Sequence, residues 1–303
     1  MNDLRRYLVD EFVEDYEQGR ITRREALKLL SGLTGAALAT RILEAHAQTP
    51  SSSASASGAS SGAPANRVRA DDPAVVAATI QFPGDAGKLF GYQARPAGSG
   101  AYPIVLVCHE NRGLTPHIED VTRRLAKAGY VGLAVDLVSR EGGTASIAQA
   151  DRIPATLGGA PPARHVQDFQ SGFNYLRAQP FARGERIGIV GFCFGGSVVW
   201  RVAAAIPQVS AAVPFYGLPV QAGEVPKINA AVLAIYAGRD ERINQNIPAI
   251  ESAMQHNGKT FRKIVYPDVY HAFHNDTGER YNAEAAAAAW EETLAWFERY
   301  LKT

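Results

Sequence analysis

The sequence predicts an α/β fold with a mostly parallel central sheet, helices on both faces and antiparallel strands at the N-terminal edge. Three observations carry this. Apolar, β-branched runs at 103–110, 131–137, 187–193, 211–216, 231–237 and 260–266 alternate with stretches whose apolar residues recur at helical spacing, the pattern of a crossover-connected sheet. Two earlier runs, 75–82 and 89–94, are separated only by Pro83-Gly84-Asp85-Ala86-Gly87, a hairpin break. Polar residues with catalytic chemistry stand directly after several runs: Glu110, Asp136, Cys193, Asp240 and His271. In open sheets of this kind functional sites gather beyond the carboxyl ends of the strands.

The 303 residues suffice for one large domain, and 46% hydrophobic residues can fill its core. Thirty-one basic residues nearly balance 30 acidic ones, so the composition carries no concentrated basic charge and excludes a nucleic-acid partner from expectation. The two cysteines, Cys108 and Cys193, permit at most one disulfide, and Cys108 reads as a core residue.

Residues 1–47 read as a twin-arginine-type signal segment that stands outside the fold. Arg23-Arg24 precede a weakly apolar stretch, 29–43, and the small-x-small site Ala45-His46-Ala47. This predicts export of a prefolded protein to the periplasm or another extracytoplasmic space, with the twin-arginine machinery as a partner. A membrane tether results if the leader stays on. Ahead of the arginines, Leu4, Leu8, Phe12 and Tyr16 recur at helical spacing among acidic residues, an amphipathic helix suited to binding something before export. Residues 48–66 collapse to Ser, Ala, Gly and Pro, a flexible linker, and 67–303 form the folded domain.

Within that domain the run at 103–110 is apolar almost throughout, as a central strand covered on both faces should be. A polar loop at 111–115 and a helix at 117–128 follow it. Residues 138–162, rich in Gly and Pro, read as a long loop carrying Arg140. Val166, Phe169, Phe173 and Leu176 give 163–178 a helical apolar face. Further helices are expected at 247–256 and 279–301.

The most informative stretch is Gly191-Phe192-Cys193-Phe194-Gly195-Gly196, between a strand and a helical segment. Glycines flanking the apex let a nucleophile sit in a strained turn with its sulfur facing the amide-rich start of a helix. A thiol there needs a histidine to take and return a proton, and a carboxylate to fix that histidine's tautomer. Asp240 and His271 follow Cys193 in the order nucleophile, acid, histidine found in α/β hydrolases. The backbone amides of Phe194 and Asn111 are the expected oxyanion donors. No His/Cys group has metal-ligand spacing, and neither a metal nor another cofactor is expected.

These residues resemble the dienelactone hydrolase (carboxymethylenebutenolidase) family of α/β hydrolases. The shared elements are the Gly191-Phe192-Cys193-Phe194-Gly195 elbow, Asp240, His271-Ala272-Phe273 and His109-Glu110. The resemblance covers roughly 75–301. It implies an α/β-hydrolase fold and cleavage of a lactone or carboxylic ester through a cysteine acyl-enzyme. It also implies that Glu110 touches the resting thiol and helps to form the thiolate. The family's lactone hydrolases hold a substrate carboxylate with two arginines. Arg140 matches one, whereas the other position, four after the histidine, is Asn275, which leaves the substrate open. The implied partner is a small ester or lactone. The oligomeric state is open, with a monomer as the simplest expectation. Two other readings stay in view: a non-catalytic binding protein on the same scaffold, and a flavodoxin-like cysteine amidotransferase or protease relative.

Overall fold

The computed structural model describes residues 1–46 and 67–302; the stretch read as a linker, 48–66, lies outside the described residues. Its centre is an eight-stranded sheet. The strands are β1 (Val75–Gly84), β2 (Gly87–Pro96), β3 (Tyr102–Cys108), β4 (Val131–Val135), β5 (Ala182–Phe192), β6 (Val209–Phe215), β7 (Ala231–Ala237) and β8 (Phe261–Tyr266), in the order β1-β2-β4-β3-β5-β6-β7-β8. β1 pairs antiparallel with β2, and β2 antiparallel with β4; all other pairings are parallel. This is the expected α/β-hydrolase fold. β4 and β7 are buried at every residue, which is why their sequences lack polar alternation.

Helices cover the sheet through apolar faces set by their spacing. α4 (Pro116–Lys127) starts with proline in its first turn and buries Ile118, Val121 and Leu125. The helix after the long loop, here α6 (Pro162–Arg177), buries Phe169, Phe173 and Leu176. α7 (Phe194–Ala205) follows the elbow, and α8 (Glu241–Asn244) and α9 (Ile247–His256) follow β7. The last helix, α10 (Ala283–Leu301), begins at 283 and not at 279, because the Asn282 side chain accepts the Ala285 amide at 3.0 Å and fixes the start. The loop expected over 138–162 contains a further helix, α5 (Arg152–Gly159). Its Pro154 falls in the first turn, where a missing N–H costs nothing.

The largest departure lies at the N-terminus. The segment expected to stand outside the fold forms three helices packed on the domain: α1 (Asp3–Glu17), α2 (Arg23–Thr34) and α3 (Ala36–Ala45). α1 buries Leu4, Tyr7, Leu8 and Phe12, so the amphipathic face read from the sequence binds the chain's own domain. α2 opens with a capping box between Thr22 and Glu25 and buries Ala26, Leu29, Leu30 and Leu33, while Arg23 and Arg24 remain exposed. Gly158 of α5 makes the approach close: a Cβ there would lie 2.7 Å from Leu33 and 3.1 Å from Leu8. No helix among the described residues is long and apolar enough to cross a membrane.

Candidate active site

β5 ends at Phe192 and α7 begins at Phe194, leaving Cys193 alone at the turn with φ 58° and ψ −120°. Few side chains tolerate positive φ, and here it is imposed by packing around the turn. A Cβ on Gly195 would strike the carbonyl oxygens of His109 and Cys108, and one on Gly191 would lie 2.6 Å from the Gly195 oxygen. The glycines therefore let the elbow press against the end of β3. Cys193 is 3% exposed, and both it and Cys108 are free thiols.

His271 lies beyond β8, next to Ala272 with its own positive φ of 65°. Its Nδ1 is 2.5 Å from Oδ2 of Asp240, which also caps α8 by accepting the Ile243 amide at 3.2 Å. Burial works against the Asp240 charge, but the attraction and hydrogen bond of His271 outweigh it and hold the carboxyl below its usual range. This leaves His271 Nε2 directed at the thiol side. The ring also packs against Tyr216, with centroids 4.9 Å apart.

The side-chain hydrogen bonds of the thiol come from α1. The Tyr7 hydroxyl donates to Cys193 Sγ at 3.4 Å and lies 3.5 Å from His271 Nε2. The thiol donates to the Glu11 carboxylate, at 3.3 Å from Oε1 and 3.6 Å from Oε2, and Glu11 also accepts from Asn111 Nδ2 at 3.1 Å. Burial, then the charges of Glu11 and Glu110, push the thiol well above its ordinary range, despite hydrogen bonds from Tyr7 and the Phe194 amide. Burial likewise raises the Tyr7 phenol, with further upward pushes from Cys193 and Glu11.

Glu110 sits beside this group with its carboxyl raised by burial, and it accepts a short hydrogen bond from the Asn275 side chain. Asn275, where the resemblance led one to look for arginine, thus satisfies Glu110. The contact with the resting thiol implied for Glu110 is made by Glu11 instead. His109 braces the loop: its Nδ1 meets the Glu110 carbonyl at 2.7 Å, and its Nε2 accepts the Leu137 amide at 3.1 Å. Arg140 is engaged by Asp168 and Asp85, each at 2.5 Å, and does not line the cleft that reaches Cys193. That cleft, about 250 Å³, is walled by Glu11, Asn111, Arg112, Asn275 and Arg280.

Cys193, Asp240, His271, Glu110, Phe194 and Asn111 therefore converge, and Arg140 lies apart. Tyr7, Glu11 and Arg280 are not marked by any sequence motif; for Tyr7 and Glu11 the one signal is the helical spacing around Leu4 and Leu8, which does not say which surface the helix meets. Donor atoms of Glu11, Cys193 and His271 lie within 4.8 Å of one another, so among the described residues these three are placed where they could hold a metal ion.

Comparison with known proteins identifies the family to which this fold belongs. The model of the dienelactone hydrolase family matches residues 89–301. A protein of Methylorubrum extorquens bearing the provisional name carboxymethylenebutenolidase is 34% identical over 245 residues, covering 77% of this chain and 84% of that one. A crystal structure from Klebsiella pneumoniae, provisionally a dienelactone hydrolase, superposes with a TM-score of 0.70 at 31% identity, covering 75% of this chain and 100% of that one. A dienelactone hydrolase-like promiscuous phosphotriesterase from metagenomic libraries gives 0.68 at 26% identity, over 75% and 99% of the two chains. The chain belongs to the dienelactone hydrolase family.

Proposed function

We propose that the protein opens a lactone or cleaves a carboxylic ester through an acyl-thioester on Cys193. The observation that carries this is the strained placement of Cys193 at the β5–α7 elbow, with the Asp240–His271 pair alongside. His271 takes the thiol proton as sulfur attacks the carbonyl carbon. Asp240 holds the imidazole in the tautomer that receives it and stabilises the imidazolium. The Phe194 and Asn111 amides stabilise the oxyanion. The C–O bond to the leaving group then breaks, and His271 returns the proton to the departing oxygen. In the second half water attacks the thioester, giving its proton to His271 and releasing the acid and the free thiol. Glu110 is the group proposed to help ionise the thiol when substrate displaces the resting contacts.

Cys193→Ala tests the mechanism on a panel of lactones, enol lactones and short aryl esters. Turnover should vanish in the variant, and retained turnover would sink the acyl-enzyme. A non-catalytic binder would instead show no ester burst even in the native chain.

Export by the twin-arginine route is proposed as well, and the exposure of Arg23 and Arg24 at the start of α2 supports it, because a receptor could reach them. Fractionation of cells making Arg23→Lys/Arg24→Lys should find the product retained inside; unchanged export would refute this part.

A further inference from the structure

We propose that α1 is an inhibitory plug, in which Tyr7 and Glu11 fill the places beside Cys193 that a substrate must occupy, so that the site turns over only when the helix lifts. The proposal rests on the reading of Cys193 as nucleophile.

An attacking sulfur needs the acyl carbon at roughly 3–3.5 Å, and the leaving oxygen must come within about 3 Å of the proton-bearing imidazole nitrogen. Both volumes are taken. Oε1 of Glu11 lies 3.3 Å from Sγ and 3.8 Å from His271 Nε2, and the Tyr7 hydroxyl lies 3.4 and 3.5 Å from the same two atoms. Glu11 thus presents to the thiol the carboxylate group that the reaction would leave there as product. It is held by the side chain of Asn111, whose amide is assigned to the oxyanion. The negative charge of Glu11 also opposes ionisation of the thiol, the reverse of what a working site requires.

The site does not need α1 to be complete. Glu110, Cys193, Asp240 and His271 all fall inside the family match at 89–301, and α1 falls outside it. The helix is fastened at its polar side by three ion pairs: Asp3 with Arg201, Glu14 with Arg242 at 2.9 Å, and Asp15 with Arg280 at 3.5 Å. Such partly exposed pairs are individually weak and can open without unfolding the sheet beneath. Since Glu11 and Phe12 form one wall of the cleft that reaches Cys193, lifting α1 widens an entrance that already exists.

The test uses the full chain. Asp3→Lys/Glu14→Lys/Asp15→Lys reverses the three ion pairs, and Glu11→Ala removes the internal carboxylate with a single change should the triple variant fold poorly. Iodoacetamide labelling of Cys193, located by peptide mass, reads access to the thiol; p-nitrophenyl acetate reads turnover. A closed state populated above about nine-tenths predicts that labelling and turnover rise together by roughly tenfold in either variant. Labelling unchanged in both variants would overturn the proposal. So would faster labelling with reduced turnover, because Tyr7 and Glu11 would then be working parts of the site. Faster labelling with no ester hydrolysed by native chain or variants would uphold the plug and defeat the hydrolase reading.

Discussion

Tyr7 and Cys193, 186 positions apart in the chain, meet at 3.4 Å in a hydrogen bond from phenol to sulfur. The Tyr7 ring is held independently, with the Arg242 guanidinium 4.6 Å from its centroid. Tyr7→Phe therefore removes the hydroxyl while keeping the ring in place. Loss of one buried hydrogen bond, about 1 kcal/mol, should raise the high-pH plateau of the Cys193 iodoacetamide labelling rate by roughly fivefold, while loss of a donor that favours the thiolate moves the labelling profile to higher pH.

The pH dependence of that labelling follows from the charges around the thiol. With burial, Glu11 and Glu110 all raising its pKa, the rate should still be climbing above the range where an ordinary thiol has levelled off. Removing the Glu11 charge favours the thiolate, so Glu11→Ala should move the labelling profile to lower pH. An identical profile would show that Glu11 does not act on the thiol electrostatically.

Asp240→Asn keeps the shape of the carboxyl but cannot fix the His271 tautomer through the 2.5 Å contact. Ester turnover should fall by roughly 10²–10⁴-fold, with the circular dichroism spectrum unchanged.

Gly195→Ala should be among the most damaging single-methyl additions. The new Cβ meets carbonyl oxygens of β3 and the following residue, which are backbone and cannot rotate away. A loss of about 1–3 kcal/mol in denaturant unfolding is expected, together with loss of turnover.

Acid should destabilise the fold through a histidine outside the site. His165 on α6 is fully buried beside Phe194 and held at 3.1 Å by the Leu157 carbonyl; burial pushes its pKa down to about 3. The unfolded chain takes up this proton near its ordinary pKa of about 6.5 and the native chain does not. This contribution is whole above that pH and is lost progressively as pH falls toward 3. Melting temperature should decline over this interval, and His165→Gln should flatten the decline.

The fold was legible because each central strand is buried on both faces, as the unbroken apolar runs of β4 and β7 advertise. The elbow was legible because its glycines answer to local backbone geometry. Arg140 was not, because its two carboxylates come from Asp85 and Asp168, positions that only the folded chain brings to it. The same limit hid α1. Its apolar stripe marked a helix, but the arginine-rich surface that fastens it is assembled from residues 201, 242 and 280. α5 escaped notice because proline and glycine, usually punctuation, here occupy its first turn and its close contact with Leu8.

The position of α1 in the chain also sets an order of events during synthesis. The ribosome releases the helix long before the elbow, and the carboxylate and imidazole of residues 240 and 271 come last. By the time β5 and α7 bring the sulfur to the apex of its turn, the covering helix is already waiting. A newborn chain thus need not present a bare, bent thiol to the oxidants or stray electrophiles of its surroundings.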